Sequence, residues 1–353
     1  MRIVITGGAG FVGSTICLHL KRKYPEFQIT AFDNLKRRGS ELNLDALKTE
    51  GIAFVHGDIR SSEDFEQLAP YDLMIEASAE PSVLAGLDSS PDYVINNNFN
   101  GSINCFNNCI KHKARIIFLS TSRVYPFDRI EKCRVKETEN RFDFDAEQQE
   151  NGISIQGISE SFSLEGTRSF YGATKLASEL FLKEYSAFYD LPYIVIRFGV
   201  IAGPGQMGKT DQGLVSLWMA KHYWKQPLKY IGFGGSGKQV RDLLHVQDAA
   251  ELLELLINKF DDYRSGIFNA GGGLSNSVSL KELTSICSEL TGNLMAIGKE
   301  LEDRPADLKC YVTDNSKIHS QTGWTPKRSV QDILNDVYKW IDKNHHSLKP
   351  ILS

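Results

Sequence analysis

Long hydrophobic runs and clusters of basic residues are both missing from this sequence of 353 residues. No apolar stretch approaches the roughly 20 residues that a transmembrane helix needs, so a membrane protein is not expected. The 40 basic and 44 acidic residues give a net charge of -4 and form no basic tract, so nucleic-acid binding has no electrostatic basis. An anionic ligand would have to be held by individual arginines.

Cysteine is also scarce: the six residues include no C-x-x-C pair. Cys105 and Cys109 are four apart on a predicted helix, but no histidine pair completes a metal set, so core packing is favoured and no metal is expected. Met1 is followed directly by the first predicted strand, so no signal peptide is expected. Together with the reduced thiols, this predicts a cytoplasmic protein.

The N-terminal segment carries the most informative motif that is present. A predicted strand at 2–6 runs into Gly7, Gly10 and Gly13, spaced as G-x-x-G-x-x-G, and a helical run follows. Glycines at this spacing allow a tight turn, close approach of the backbone to a pyrophosphate, and packing of helix on strand. The free N–H groups at the start of the helix favour phosphate. We therefore predict a dinucleotide site; a glycine-rich surface turn is the alternative.

The end of the second predicted strand indicates which dinucleotide binds. Asp33 stands there, and its carboxylate can accept hydrogen bonds from both ribose hydroxyls. It would repel a 2′-phosphate, which favours NAD. NADP remains the alternative, because Arg37 and Arg38 follow closely enough to hold a phosphate.

Predicted strands and helices alternate along the first half of the chain. Such alternation is typical of a parallel sheet with helical crossovers. The further predicted strands are 53–55, 73–75, 116–119 and 193–198. These features predict an α/β protein with a Rossmann doubly wound parallel sheet.

The domain organisation is predicted from the change in pattern at residue 199. Beyond it the alternation becomes irregular and glycine-rich loops appear, as in a smaller, mixed α/β substrate-binding domain. We expect the Rossmann domain over 1–198, with its sheet completed by 240–275. The substrate-binding domain is expected mainly over 199–353.

A second motif, Y-x-x-x-K, runs from Tyr171 to Lys175 at the start of a helix predicted over 171–189. Its phenol and ammonium lie on one face, one turn apart. A phenol, with an unperturbed pKa of about 10, is a poor base at neutral pH, but a fixed cation stabilises the phenolate. A hydroxyl from the Ser-Thr-Ser segment at 120–122 would orient the substrate. Alone, the motif is weak, because a surface Tyr–Lys pair also explains it.

Together and in this order, the fingerprint, Ser-Thr-Ser and Y-x-x-x-K resemble the extended short-chain dehydrogenase family, whose members epimerise, dehydrate or reduce nucleotide sugars. The resemblance implies that Thr121 orients the substrate, Tyr171 is the base, and Lys175 holds the nicotinamide ribose and tunes Tyr171. The cofactor contacts that it implies are Gly7, Gly10, Phe11, Val12, Gly13, Asp33, Asn34, Arg38, Asp58, Ile59, Ala77, Ala79, Asn98, Tyr171 and Lys175.

Two later segments, 241–248 and 304–307, resemble the family motifs R-D-x-x-H-V-x-D and R-x-x-D. In relatives these arginines bind the substrate diphosphate, and guanidinium forks suit a diphosphate entering a net-negative protein. The substrate contacts implied by the resemblance are Pro81, Ser82, Thr121, Ser122, Gln206, Lys209, Gln239, Arg241, Arg304 and Asp307.

A competing phosphate motif occurs at 203–210, which matches G-x-x-x-x-G-K-[ST] literally. A working P-loop joins a strand directly to a helix, whereas extra residues flank this segment on both sides. Family members carry a Gly-Pro at this point, as Gly203 and Pro204 do here. An ATPase is therefore the disfavoured alternative.

The sugar chemistry is indicated by the residues around Thr121. Dehydratases of the family follow this threonine with an Asp-Glu pair, whereas Ser122 and Arg123 stand here. One departure from the family is Glu76, where relatives usually have histidine. This departure concerns the expected sugar contacts and leaves the expected catalytic residues in place.

Within the family, the chain resembles the CDP-paratose 2-epimerase branch at 32–40, 79–82, 203–213 and 234–245. The resemblance to that branch implies a reaction that forms CDP-tyvelose. The sugar would be oxidised transiently to a keto-sugar, and hydride would return to the opposite face of that sugar. A UDP-sugar 4-epimerase or another nucleotide-sugar oxidoreductase is the alternative, and a non-catalytic nucleotide-binding protein is less favoured. We expect NAD as cofactor, a nucleotide-diphosphate sugar as substrate, and a homo-oligomer, either dimer or tetramer.

Overall fold

The computed structural model describes residues 1–87, 89–209 and 212–352. Its strands are β1 (Arg2–Thr6), β2 (Gln28–Asp33), β3 (Ala53–His56), β4 (Leu73–Glu76), β5 (Arg115–Thr121), β6 (Val135–Glu137), β7 (Phe142–Phe144), β8 (Ile153–Ser154), β9 (Gly157–Ile158), β10 (Tyr193–Phe198), β11 (Val200–Ala202), β12 (Lys229–Ile231), β13 (Val240–His245), β14 (Ile267–Ala270), β15 (Ser277–Ser279), β16 (Gly298–Glu300) and β17 (Cys310–Tyr311).

The helices alternate with these strands in the first half of the chain. They are α1 (Phe11–Lys23), α2 (Leu44–Thr49), α3 (Asp92–Ile95), α4 (Gly101–His112), α5 (Phe127–Ile130), α6 (Phe170–Tyr189), α7 (Leu214–Tyr223), α8 (Val246–Asn258), α9 (Leu280–Thr291), α10 (Ser316–Thr322), α11 (Val330–Lys343) and α12 (His345–Leu352). None of the helices in the described part of the chain combines the length and hydropathy needed to cross a bilayer.

A seven-stranded parallel sheet confirms the predicted Rossmann fold. Its strand order is β14-β10-β5-β4-β1-β2-β3, so the winding direction reverses beside β1. In an open α/β sheet, ligands bind outside the carboxyl ends of the strands at this reversal. Thr6 at the end of β1 is in register with Phe32 on one side and Glu76 on the other. The residues that follow these strands therefore lie at the expected cofactor position.

The chain divides into two compact units. The first unit comprises 1–124, 169–197 and 249–268, and the second comprises 125–168, 198–248 and 269–352. This division interleaves more than the one predicted from sequence. Residues 125–168 group with the second unit, because the N–H of Phe142 donates to the Lys238 carbonyl oxygen and the N–H of Ile158 donates to the Val312 carbonyl oxygen. The domain boundary at 198 stays a proposal.

Within 240–275, the segment predicted to complete part of the large sheet, β14 lies at one edge of that sheet. Strand β13 instead pairs with β11, β15 and β17 in a smaller sheet within the second unit. An apolar strand carries no mark of the sheet that it will join, because that choice depends on long-range pairing.

Each unit has its own apolar core. In the first unit, Phe106 and Phe118 pack edge to face at 6.0 Å between ring centroids. Cys105 and Cys109 are fully buried in the same core, as the sequence predicts. In the second unit, α7, α9 and α11 pack around a cluster that includes Trp218.

Candidate cofactor and catalytic site

The glycine turn after β1 has the close approaches that a pyrophosphate site requires. A Cβ atom on Gly13 would lie 2.1 Å from the carbonyl oxygen of Gly7, and one on Gly7, whose φ is +64°, would lie 2.9 Å from the oxygen of Ala77. Helix α1 begins at Phe11, earlier than predicted, and its N-cap Gly10 supplies no side-chain cap. The first N–H groups of α1 therefore have no side-chain cap, which is the arrangement that a phosphate at a helix N-terminus requires.

Asp33, at the end of β2, is held by the backbone around it. One carboxylate oxygen accepts the N–H of Ala9 at 3.1 Å and the other accepts that of Leu35 at 2.8 Å. Burial raises the pKa of Asp33, and these N–H donors only partly offset it. The residue thus braces the glycine turn, a role that the motif did not reveal. Arg38 is exposed.

The predicted cofactor contacts Asn34, Asp58 and Ile59 lie just beyond the ends of β2 and β3. The Asp58 carboxylate accepts Asn34 Nδ2 at 2.9 Å and Arg60 Nη2 at 2.6 Å. Burial acts to raise the pKa of Asp58, but these donors outweigh it and lower the pKa to about 2. Ile59 is buried, and a Cβ atom on Gly101 would lie 2.5 Å from its Cδ1. The structure thus brings Asn34 and Asp58 together.

Asn98 anchors the segment that follows β4. Its side chain accepts the N–H of Glu80 at 2.8 Å and donates to the Glu80 carbonyl at 3.0 Å. Ser82 is buried and its N–H donates to a Glu80 carboxylate oxygen at 3.1 Å, whereas Pro81 is exposed. The same amide therefore positions the neighbouring Ala79 backbone and the predicted sugar contacts.

The catalytic motifs meet where α6 begins. A Cβ atom on Gly172 would lie 2.1 Å from the carbonyl oxygen of Arg123, so the first turn of α6 packs directly on the turn after β5. The buried Ser169 caps α6 by accepting the N–H of Gly172 at 3.2 Å. Thr121 ends β5, and its hydroxyl accepts the N–H of Arg123 at 3.1 Å. Tyr171, which is half-buried, is thus held in the same small region as Thr121.

Lys175, one turn further along α6, is almost completely buried. Its Nζ lies 3.4 Å from Glu76 Oε2 and 3.5 Å from the carbonyl oxygen of Ser78. The same Nζ lies 4.5 Å from the centroid of the Phe118 ring. The ammonium is therefore enclosed at the carboxyl ends of β4 and β5.

A buried network next to this site was not found by sequence reasoning. Glu179 accepts Ser120 Oγ at 2.5 Å and Arg197 Nη2 at 2.6 Å, so it ties α6 to β5 and β10. Ser120 precedes Thr121, so the network fastens the end of β5 to α6 and β10. The available signal was a charged residue within an apolar strand, as with Arg197 in Y-I-V-I-R-F and Glu76 in L-M-I-E.

In the second unit the two predicted arginine motifs meet. Arg241 on β13 forms an ion pair of 2.6 Å with Asp307, and its other terminal nitrogen donates to the carbonyl oxygens of Val240 and Leu308. Arg304 lies in the same turn as Asp307, whose N–H donates to the Arg304 carbonyl oxygen at 3.2 Å. The predicted diphosphate residues are therefore adjacent, although Arg241 already has protein partners.

The predicted glutamine contacts lie in two other places of the second unit. Gln239 Nε2 donates to the Ile231 carbonyl at 3.0 Å, and its buried Oε1 has no hydrogen-bond partner among the described residues. Gln206 donates to the Ile201 carbonyl at 2.9 Å and accepts the Ser216 hydroxyl at 3.2 Å. Gln206 is thus occupied within its own loop.

The competing phosphate motif at 203–210 does not run directly into a helix. Lys209 is exposed and its backbone pairs with Gln212, and α7 begins only at Leu214. The final threonine of the motif lies outside the described residues. A strand–turn–helix P-loop is not formed by the part that the structure describes.

Comparisons with known proteins identify the family of this chain. The model of the NAD dependent epimerase/dehydratase family matches residues 3–271. The chain is 30% identical over 349 residues to CDP-paratose 2-epimerase of Salmonella typhi, covering 96% of this chain and 99% of that protein.

Two solved structures share the fold. UDP-glucose 4-epimerase of Thermotoga maritima with UDP-glucose has a TM-score of 0.79 at 23% identity, covering 98% of this chain and 100% of that chain. UDP-glucose 4-epimerase of Thermus thermophilus in complex with NAD has a TM-score of 0.76 at 24% identity, covering 97% and 99%. The predicted enzyme class, an NAD-dependent nucleotide-sugar epimerase, is confirmed. The chain belongs to the NAD dependent epimerase/dehydratase family.

Proposed function

We propose that this protein is a CDP-paratose 2-epimerase that forms CDP-tyvelose. The proposed catalytic role is supported by one observation, the packing of the start of α6 on the turn after β5. This packing holds Thr121, Tyr171 and the buried Lys175 in one region of the first unit. The similarity to the Salmonella typhi enzyme over nearly the whole chain supports the choice of sugar nucleotide. Position 122 is serine rather than the acid that the dehydratase interpretation requires.

In the proposed reaction, Tyr171 takes the proton from the sugar 2-hydroxyl. It returns the proton after the sugar has rotated in the site to present its opposite face. Thr121 donates a hydrogen bond that orients the reacting oxygen. The Lys175 ammonium stabilises the negative charge on the Tyr171 oxygen. NAD, when bound, would supply reversible acceptance of hydride, so that no net oxidation occurs.

The proposed NAD site is formed by the first unit. The turn at Gly7–Gly13 would hold the pyrophosphate against α1, Asp33 would accept the adenine ribose hydroxyls, and Asp58 would contact the base. The fit rests on the close glycine contacts and on the absence of a side-chain cap on α1 within the described residues.

The proposed substrate diphosphate binds to the second unit. Arg241 and Arg304 have the planar donor groups that suit paired phosphate oxygens, and the ion pair with Asp307 holds Arg241 in place. Binding would require the phosphate to compete with the Asp307 carboxylate for one guanidinium edge.

The test is incubation of the purified protein and NAD with CDP-paratose in deuterated buffer, followed by NMR and mass spectrometry of the product. Transient oxidation predicts CDP-tyvelose whose carbon-bound hydrogen comes from the substrate, with no accumulation of NADH. Solvent deuterium at the epimerised carbon would contradict hydride return, because it requires removal of a carbon-bound proton instead.

UDP-glucose and UDP-galactose in parallel reactions test the alternative that the solved neighbours suggest. Turnover of these sugars, with none of CDP-paratose, would replace the 2-epimerase proposal by a UDP-sugar 4-epimerase. The Tyr171→Phe variant is the control for contaminating epimerases in both series.

Assembly and location are further parts of the proposal. The α6 helix exposes Leu180, Phe181 and Phe188, the last at 77%, and we propose that a second copy of the chain covers this face in a homo-oligomer. Light scattering that shows a monomer would contradict this. All six cysteines are free thiols, which supports the proposed cytoplasmic location.

A further inference from the structure

Glu76 is a completely buried carboxylate beside the proposed catalytic lysine. It ends β4, in register with Thr6 of β1 and Phe118 of β5, and none of its surface is exposed. Its Oε2 lies 3.4 Å from Lys175 Nζ, and the lysine side chain is 2% exposed. Burying two charges is costly, so such a pair persists only when each charge compensates the other.

The remaining surroundings of Glu76 provide little compensation. Its Oε1 has no hydrogen-bond partner among the described residues, and the nearby Ser102 hydroxyl donates to the carbonyl of Asn98. Burial raises the pKa of Glu76, while Lys175 is the largest influence that lowers it, followed by Ser102 and the backbone of Ser78.

The titratable groups that face this carboxylate lie on two helices. Lys175 faces it from α6, and the thiols of Cys105 and Cys109 face it from α4. Burial raises the pKa of both thiols, and the charge of Glu76 raises it further, so they stay neutral at physiological pH. Among these groups, Lys175 is therefore the charged partner of Glu76.

A second buried pair on α6 shows what a purely structural ion pair looks like. Glu179 receives hydrogen bonds from Arg197 and Ser120, with the shortest distances at 2.6 and 2.5 Å. The Glu76–Lys175 contact is longer, and Lys175 is the residue of the Y-x-x-x-K motif. This difference indicates a role for Glu76 in the chemistry rather than in fastening the helix.

We propose that Glu76 is a positioning residue that holds the Lys175 ammonium and offsets part of its positive charge at Tyr171. The inference rests on the proposed function, in which Tyr171 is the acid–base group. With Glu76 ionised, the charges of Glu76 and Lys175 sum to zero. The negative charge of Glu76 then reduces the stabilisation that the Lys175 ammonium gives to the Tyr171 phenolate. Removing the carboxylate charge leaves the ammonium uncompensated, so the first proton leaves the Tyr171–Lys175 pair at lower pH.

The experiment is a titration of the Tyr171 phenolate by near-ultraviolet absorbance in protein saturated with NAD. The difference between each protein and the same protein carrying Tyr171→Phe isolates this tyrosine from the others. Glu76→Gln should move the midpoint to lower pH by about one unit, as expected for removal of a charge near the site at an effective dielectric constant of about 20. The acid limb of the kcat/KM profile should move in the same direction.

Three further variants separate charge from shape and from stability. Glu76→Asp keeps the charge and should leave the midpoint close to that of the wild type. Glu76→Leu also removes the negative charge but introduces an apolar side chain. This variant serves in place of Glu76→Gln if the glutamine variant does not fold. Glu179→Gln is the matched control, because it disrupts a buried pair on the same helix and should lower the melting temperature without moving the midpoint.

An unchanged midpoint in both neutral variants would overturn the role of Glu76, and so would an equal shift in Glu179→Gln. The titration needs no sugar nucleotide, so it does not depend on the identity of the substrate. Failure of the wild type to epimerise any CDP- or UDP-sugar would instead contradict the proposed function.

Discussion

The two units differ in how their proposed functional residues are held. In the first unit, the glycine turn and the Tyr171–Lys175 segment are short contiguous stretches at strand ends and helix starts. A Cβ atom on Gly13 or Gly172 would lie only 2.1 Å from a backbone oxygen, and Ser169 caps the helix by a hydrogen bond of 3.2 Å. In the second unit, Arg241 and Asp307 come from distant segments and are paired with each other at 2.6 Å. Contiguous segments suit a constant cofactor and a constant reaction, whereas paired residues from separate segments can be varied to suit different sugars.

The largest expected effect comes from the catalytic phenol of the first unit. Tyr171→Phe should lower turnover by about 10² to 10⁴, because a general acid–base group is lost. The affinities for NAD and for the sugar nucleotide should stay unchanged, since the ring remains. Steady-state kinetics and calorimetry on the same preparation check this, and near-normal turnover would remove Tyr171 from the mechanism.

Gly13→Ala tests whether the glycine turn of the first unit holds the cofactor. The added Cβ would meet the Gly7 carbonyl oxygen at 2.1 Å, so the turn must shift. We expect a loss of about 3 kcal/mol in the free energy of unfolding and a loss of NAD binding. Gly10→Ala, whose Cβ would lie 3.1 Å from the same oxygen, is the milder control for denaturant titrations. Equal losses in the two variants would contradict the assigned contact.

The arginines test the second unit. Replacing Arg241 or Arg304 with lysine keeps the charge but removes the planar guanidinium group with its paired N–H donors. The change should weaken sugar-nucleotide binding by about 1 to 3 kcal/mol. NAD affinity should not change. Arg304→Lys is the cleaner experiment, because Arg241 also donates to two carbonyl oxygens and its replacement should lower stability. If calorimetry showed NAD lost and sugar-nucleotide affinity kept, the division of roles between the units would be wrong.

Asp58 gives the first unit a pH dependence. Its pKa is lowered to about 2 in the folded protein, so its stabilising contribution is complete above the unfolded value of about 4 and is lost as the pH falls towards 2. Because the pair with Arg60 is partly exposed, we expect only about 1 kcal/mol. Asp58→Asn should reduce the acid sensitivity of urea unfolding between these pH values. A wild-type slope in the variant would contradict the assignment.

The smallest effect is expected at Lys209, in the competing phosphate motif. Because α7 begins only at Leu214, we expect no specific ATP hydrolysis in the wild type and no change in NAD binding in Lys209→Ala. Magnesium-dependent ATP turnover that disappears in this variant would restore the ATPase interpretation.

Much of the first unit could be predicted, since its motifs are local. The turn glycines, Asp33 and the Y-x-x-x-K helix each carry their meaning within a few residues, and the strand order follows the rules for parallel sheets. The carboxylates that complete the site could not be predicted. Glu76 and Glu179 each read as an isolated charge in an apolar or helical stretch, and their partners lie 99 and 18 residues away in the chain.

The sequence by itself determined the Rossmann sheet, the cofactor turn and the residue types of the reaction, because hydrophobic periodicity and glycine spacing act over short distances. Only the tertiary structure decided that β13 joins the smaller sheet, that Arg241 pairs with Asp307, and that a buried carboxylate faces Lys175. These features depend on contacts between segments far apart in the chain, and the charge of Glu76 matters only because folding removes it from water.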